Sequence, residues 1–328
     1  MKQPLTLHSD CLRFLAYLRT IRHYSPHTIR NYHSDLRSLS GLLDNLPYAD
    51  ITPHHIRKLA SQLHSVDLSA RTIARHLACW RSFFNWAVEF QHTATNPVDN
   101  IKAPKRGKSL PKALSVDEAV HLVEHAPQRH IGKQNSDTTV ADAAQAADHA
   151  MFELLYSSGL RVSELTSLDI RYHREPSLNG IPGYCSISWL DLHEQLVHVT
   201  GKGNKTREVP VGSAAINALK HWLSYRPLLE KTDTNALFLS SRGTRISVRL
   251  VQLRLHAHAL QSGAKGRVHP HVLRHSFASH LLQSSGDLRA VQELLGHASI
   301  ASTQIYTALD FQHLSTTYDA SHPRAKRK

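Results

Sequence analysis

Helical spacing dominates the first hundred residues. Leu7, Cys11, Phe14, Leu15 and Leu18 recur at intervals of three and four, which puts them on one helix face. A second stripe runs through Ile29, Tyr32, Leu36, Leu39 and Leu43. It is entered through Ser25, a good N-cap, and Pro26 at the first helical position, where a missing N–H costs nothing. Thr52 and Pro53 repeat that entry ahead of Ile56, Leu59 and Leu63. A fourth helix starts at Ser69 and is expected to turn Ile73, Leu77, Trp80, Phe84 and Val88 inward. Arg71 and Arg75 then share its outward stripe, where each is equally a solvated residue or a contact for phosphate.

The pattern breaks at "PVDNIKAPKRGKSLPK" (97–112), with three prolines and five basic residues against one acid. Helix cannot run through it, and it reads as a basic linker placing Lys102, Lys105, Arg106 and Lys108. Beyond it, Ser115 and Glu118 predict a capping box. Residues 127–147 are polar, then alanine-rich, a loop running into a helix, and 171–187 is a second polar, proline-containing stretch. "LVHVTGKGNKTREVPV" alternates on both sides of a Gly-Lys-Gly-Asn turn and predicts a β-hairpin. A short strand is expected near Ala236–Leu239, and helix elsewhere. The fold class is therefore mainly α with a small β-sheet: a helical domain over 1–96, the linker over 97–112, and a mixed α/β domain over 113–328.

Composition narrows the partners. The chain has 328 residues, 41% apolar and 20% charged, which suits globular domains. No run reaches the roughly 18 to 20 apolar residues that span a bilayer. Asp10, Arg13 and Arg19 interrupt the N-terminal hydrophobic pattern, so a cytoplasmic protein with no membrane role is expected. Cys11, Cys79 and Cys185 are far apart and form no CxxC, which argues against a disulfide framework or a cysteine zinc site. The 26 histidines form no HExxH and read mostly as surface residues; no metal or cofactor is expected. A formal net charge of +13 points to a polyanion, most often nucleic acid.

The individual motifs are weak alone. "GKGNKT" (201–206) lacks the Walker A spacing and precedes a strand, so Lys202 remains a hairpin-tip ammonium, as readily a solvated turn residue as a reactive one. His271 and Arg274 lie three apart on the helix opened by Pro270 and ended at Gly286, a neutral-range titrating group beside a phosphate fork. Such pairs are mostly structural. Arg161 follows a Gly-Leu break at a helix start. In a helix over 301–309, Tyr306 would share the polar stripe of Ser302 and Asp310, either as amphipathic surface or as a hydroxyl held out for use.

In combination they are specific. Arg161, a hairpin Lys202, His271-x-x-Arg274, Gly296-His297 and Tyr306 nine residues after His297, with the block "HPHVLRHSFASHLLQSSGDLRAVQELLGHASIASTQIYT", resemble the tyrosine recombinase (phage integrase) family over nearly the whole chain. Within it the chain looks most like the Xer site-specific recombinases. The ending "LDFQHLSTTYDASHPRAKRK" resembles the XerC branch more than XerD, and the stretches 127–147 and 171–187 look longer than usual.

The resemblance implies an N-terminal four-helix SAM-like core-binding domain and a C-terminal mixed α/β catalytic domain. It implies a 3′-phosphotyrosyl intermediate on Tyr306, proton transfer assisted by His271, and a phosphate clamp of Arg161, Arg274 and His297. Lys202 would protonate the leaving 5′-oxygen, with Glu164 supporting from behind, and metal is not required. The implied partners are double-stranded DNA with a dif-like site, a XerD-like recombinase in a heterotetramer, and an FtsK-type DNA translocase as regulator. The implied task is resolution of chromosome dimers at cell division. A helix after Asp310 would dock on a neighbouring protomer through Phe311, Leu314 and Tyr318, the alternative being that these residues pack within their own chain. Two rivals stand beside this reading: an integrase of a phage or mobile element, and a non-catalytic architectural DNA-binding protein.

Overall fold

Two hydrophobic cores divide the chain into compact units, Met1–Leu110 and Pro111–Lys328. The computed structural model describes residues 7–104, 113–124, 138–177, 183–201, 205–233, 235–264, 268–296 and 316–325.

The first unit is built from α1 (Ser9–Thr20), α2 (Pro26–Leu43), α3 (Pro53–Ser65) and α4 (Ala70–Glu89). Its caps follow from the sequence: Ser25 Oγ accepts from the Thr28 N–H and Ser69 Oγ from the Thr72 N–H, each ending an orphan donor of the first turn. The core is aromatic, with Phe14 edge-on to Phe83 at 5.5 Å between ring centroids and Trp86 5.7 Å from both rings. Asp35 is fully buried among these helices. It accepts Arg75 Nε at 2.9 Å and Nη2 at 2.7 Å, while its backbone carbonyl accepts the Trp80 indole N–H at 2.9 Å.

Two expectations need correcting here. Val88 does not turn inward but lies exposed, and Ala87 is buried in its place. A period of 3.6 alternates steps of four and three, so the stripe through Ile73, Leu77, Trp80 and Phe84 continues at 87. The start of the basic linker also belongs to the first unit. Val98 and Ile101 are buried in its core, and Arg81 Nη2 donates to both their carbonyls, at 3.1 and 3.0 Å.

The second unit contains α5 (Val116–Glu124), α6 (Thr138–Ser158), α7 (Val162–Ser167), the short strand β1 (Leu168–Asp169), and further strands and helices after it. Ser115 and Glu118 make the expected reciprocal capping box: the Ser115 N–H donates to Glu118 Oε2 at 2.9 Å and the Glu118 N–H to Ser115 Oγ at 3.2 Å. The alanines of α6 at 143, 146, 147 and 150 are buried, and their small side chains let α8 (Ser213–Tyr225) and α10 (Pro270–Ser285) approach closely. Gly159, directly after α6, has φ +57°. A Cβ there would lie 2.3 Å from the Phe277 ring, so the sharp turn into α7 requires glycine.

The polar stretch 171–187 carries a small antiparallel pair, β2 (Arg174–Glu175) and β3 (Tyr184–Cys185). It is fastened by Tyr184 Oη donating to Asp169 Oδ2 at 2.8 Å, and Asp169 in turn accepts Arg245 Nη2 at 2.6 Å. β4 (Ser188–Asp191), β5 (Leu196–Thr200) and β6 (Thr206–Pro210) complete a sheet of order β1-β4-β5-β6, with only β1 and β4 parallel. The expected hairpin is β5–β6, with Val197 opposite Val209 and Val199 opposite Arg207. The strand expected near Ala236 is reduced to isolated bridges, Asp169 to Ala236 and Leu239 to Arg245. Two more helices, α9 (Val248–Gln261) and α11 (Leu288–Leu295), flank α10 in sequence, and Gly286 ends α10 in the left-handed conformation. No helix among the described residues is long and apolar enough to cross a membrane.

The last described segment, helical over 316–321, packs on its own chain. Tyr318, expected on a neighbouring protomer, is 1% exposed in the second core, with its hydroxyl 2.7 Å from Ser157 Oγ. Arg324 closes the segment with ion pairs to Glu153 and Glu124. Phe311 and Leu314 lie outside the described residues. Several histidines are likewise not surface groups: His76, His258, His280 and His322 are buried.

His322 stacks on Tyr318 at 5.2 Å and 10°, and burial pushes its pKa down to about 3, helped by His280 and Arg324. The folded chain therefore holds this imidazole neutral where the unfolded chain, titrating near 6.5, takes up a proton. Stability from this group is complete above pH 6.5 and is lost as pH falls toward 3, about 2 kcal/mol of it between pH 7 and 5. His322→Phe, which cannot titrate, should show a flatter fall in melting temperature over that interval than the unsubstituted chain, checked by thermal circular dichroism at several pH values.

Candidate active site

Arg161, Glu164, Arg207 and Arg274 come together from α7, β6 and α10, against the end of α11. Arg161 stands just before α7, and its backbone N–H donates to Glu164 Oε2 at 2.8 Å, so the acid three residues on caps the helix start. The same carboxylate binds side chains. Arg161 Nη1 reaches Oε1 at 2.7 Å, while Arg207 spans both oxygens, Nη1 to Oε1 and Nη2 to Oε2, each at 2.9 Å. Arg274 Nη1 lies 3.9 Å from Oε2.

Burial alone would raise the Glu164 pKa. The hydrogen bonds and charge of Arg207, then those of Arg161, reverse this and hold the carboxyl below its usual range. Arg274 shows the opposite pressure. Burial and the like charges of Arg161 and Arg207 pull its guanidinium down to about 10, against the favourable pull of Glu164.

The second set of acceptors is the end of a helix. α11 is capped at its start by Asp287, whose Oδ1 accepts the Ala290 N–H at 2.9 Å, and it ends at Gly296 with φ +63°. Its last carbonyls have no intrahelical donors and carry the negative end of the helix dipole. Each takes a different arginine: Leu294 O accepts Arg207 Nε at 2.8 Å, Leu295 O accepts Arg274 Nη2 at 2.6 Å, and Gly296 O accepts Arg161 Nη2 at 3.2 Å. Arg274 Nη1 also donates to Gly159 O at 2.6 Å. The Arg161 side chain is the most open of the three, 32% exposed against 10% for Arg207 and 9% for Arg274.

His271 lies one turn before Arg274 on α10 and is exposed. Lys202, His297 and Tyr306 lie outside the described residues, although Gly201 and Gly296, their neighbours in the chain, are described. A Cβ on Gly201 would lie 3.7 Å from Glu164 Oε1 and 3.8 Å from Arg161 Nη1. The structure thus brings Arg161, Arg274 and Glu164 together, with the chain neighbours of Lys202 and His297 beside them.

Arg207 was not singled out by sequence. The signal was available: Val197, Val199 and Val209 fix the inward face of the hairpin, and alternation puts Arg207 on it. A charge at an inward strand position needs a buried partner.

In the first unit, Arg71 and Arg75 line a surface depression of about 420 Å³ with Thr72, Ala74 and Ala78. The fork of Arg75 is engaged by Asp35. Lys102 is exposed, and Lys105, Arg106 and Lys108 lie outside the described residues.

Comparisons with known proteins agree on one family. Residues 12–91 match the "Phage integrase, N-terminal SAM-like domain" and residues 183–313 the "Phage integrase family". The chain is 49% identical to the tyrosine recombinase XerC of Ralstonia pickettii (strain 12J), over 98% of this chain and 95% of that protein. It is 47% identical to tyrosine recombinase XerC of Alcanivorax borkumensis (strain SK2), over 96% and 94%. Among solved structures, XerH site-specific recombinase bound to a palindromic difH substrate, a post-cleavage complex, shares the fold. Its TM-score is 0.62 at 20% identity, covering 94% of this chain and 84% of that one.

Glu164 is the sole carboxylate bridging Arg161 and Arg207 among the described residues. Glu164→Ala should therefore lower the unfolding free energy by about 3–5 kcal/mol, the usual cost of stranding buried partner charges. Urea titration at pH 7 checks this, and the deficit should begin to shrink as pH falls below about 4.5, where the unfolded carboxylate takes up a proton that native Glu164, held below that range by its arginines, still refuses.

Proposed function

The chain belongs to the tyrosine recombinase (phage integrase) family, and from that premise we propose how its residues cut and rejoin DNA and at what kind of site. As a site-specific recombinase it exchanges DNA strands. In the proposed mechanism Tyr306 Oη attacks the scissile phosphorus, its proton leaving with help from His271. The new Oη–P bond replaces the P–O5′ bond, leaving a 3′-phosphotyrosyl link and a 5′-oxygen that takes a proton from Lys202. A 5′-hydroxyl from a second duplex reverses the step, breaking Oη–P and forming the new P–O5′ bond. The number of phosphodiester-type bonds is conserved, so no external energy source is needed.

Arg161, Arg274 and His297 meet the non-bridging oxygens as charge accumulates on them. Loss of one such donor is worth about 3–4 kcal/mol in the transition state. The observation that carries this reading is the arginine cluster. Arg161 and Arg274 are far apart in sequence, yet both donate to the carbonyls that end α11, immediately before His297 in the chain. A pair of guanidinium groups held in place by protein carbonyls suits a compact tetrahedral oxyanion better than an extended polyanion.

The strong identity to XerC proteins supports a dif-type site on chromosomal DNA in the cytoplasm, a XerD-like partner in a heterotetramer, control by an FtsK-type translocase, and dimer resolution at cell division. Arg71 and Lys102, with Lys105, Arg106 and Lys108, would neutralise phosphates along the duplex, whereas the charge of Arg75 is already matched by Asp35.

A nicked suicide duplex carrying a dif-like site tests the chemistry. The unsubstituted chain should form a covalent adduct resistant to denaturing gels, whereas Tyr306→Phe should bind the duplex equally and form none. An adduct that persists in Tyr306→Phe would remove the assignment, and equal cleavage of unrelated duplexes would remove the dif-type site. Lys202→Ala should cleave the ordinary substrate slowly and recover with a better 5′ leaving group; absence of rescue would make this lysine a binding residue.

A further inference from the structure

We propose that Arg207 is a positioning residue for this reaction, setting the chain neighbours of Lys202 and His297 relative to Arg161 and Arg274; this inference rests on the reading given above. Three sets of contacts carry it. Arg207 stands on β6 opposite Val199, at the inward position nearest the hairpin turn. Its Nη1 and Nη2 take both oxygens of Glu164, the carboxylate that also holds Arg161. Its Nε donates to Leu294 O, at the end of α11.

The two glycines that precede the candidate lysine and histidine meet at this same side chain. A Cβ placed on Gly201 would lie 3.6 Å from Arg207 Nη1. One placed on Gly296 would lie 3.1 Å from both Cδ and Nη1. Arg207 is thus a hub between the root of the Lys202 turn and the point where the chain leaves α11 for His297.

The contacts also say what Arg207 does not do. All three of its nitrogens donate to protein acceptors, and the side chain is 10% exposed. Its charge is matched bidentately by Glu164, whereas Arg274 meets only carbonyls at hydrogen-bond distance, so the influence of Arg207 passes through other groups. Lysine cannot replace it, because one ammonium cannot cover a carboxylate on one side and a carbonyl on another.

The groups facing Glu164 are Arg161 ahead of α7, Arg207 on β6 and Arg274 on α10. Removing Arg207 leaves a buried carboxylate with fewer partners, so it protonates at higher pH and loses its hold on Arg161. A purely architectural arginine would change stability without altering how the rate depends on pH through Glu164.

The full chain is assayed on nicked suicide DNA as the unsubstituted protein, R207K, R207Q, E164Q and R207Q/E164Q, with DNA affinity, single-turnover cleavage and melting temperature read for each. DNA affinity should change by less than about threefold, while cleavage by R207Q should fall by about 100-fold, the effect of roughly 1 Å of misplacement. R207K should stay close to R207Q in rate even with an unchanged melt, and it carries the test if R207Q fails to fold. The double variant should be no slower than R207Q, because both changes break one linkage. The acid limb of the R207Q rate profile should move toward neutral pH, and that shift should be absent in the double variant. Cleavage by R207K and R207Q near the unsubstituted rate would overturn the inference. So would a loss confined to DNA affinity, or additive effects in the double variant. If the unsubstituted chain makes no adduct through Tyr306, the recombinase reading itself fails, a result separable from all of these.

Discussion

Three guanidinium groups occupy one small region of this protein, and one carboxylate lets them stay there. Like charges brought together under partial burial repel, and the depressed pKa of Arg274 records that pressure. Glu164 offsets it by accepting from two of the arginines while its remaining charge faces the third. The open end of α11 supplies further partial negative charge without adding another titrating group. Arginine, carboxylate and helix terminus thus form one electrostatic unit assembled from four stretches of chain. Its net charge remains positive, so the cluster as a whole attracts anions.

Much of this was legible before any coordinates. Helix starts at Ser25, Thr52, Ser69 and Ser115 are written in local chemistry, because an N-cap is decided by the residue itself and its next three neighbours. The β5–β6 hairpin followed from alternation around glycine. Val88 failed because a stripe extended in steps of four drifts off a helix whose true step is shorter. Val98 and Ile101 were hidden by the prolines and lysines around them, whose composition signalled linker while two apolar side chains were still reaching back to the core.

Three of the four members of the arginine–carboxylate cluster were legible, but not its wiring. Arg161, Glu164 and Arg274 are named by a resemblance that depends on spacing, whereas which carbonyl each arginine meets depends on tertiary contacts across 21 to 135 residues. Tyr318 illustrates the same limit from the other side. A tyrosine near the end of a chain carries no sign of whether it serves a neighbour or its own core; its hydroxyl partner, Ser157, decides that only once the fold exists.

The cysteines carry a practical consequence of the packing. Burial, with Asp10 and Asp44 nearby, pushes the Cys11 thiol up to about 12, and burial, with Asp35 close by, raises that of Cys79 as well. Thiolate is the reactive form, so both are shielded from electrophiles while the first unit stays folded. Cys185 sits exposed on the small β2–β3 pair of the other unit. The natural chain therefore offers a single accessible sulfur to a maleimide dye, and optical reporting from the second unit needs no engineered attachment point.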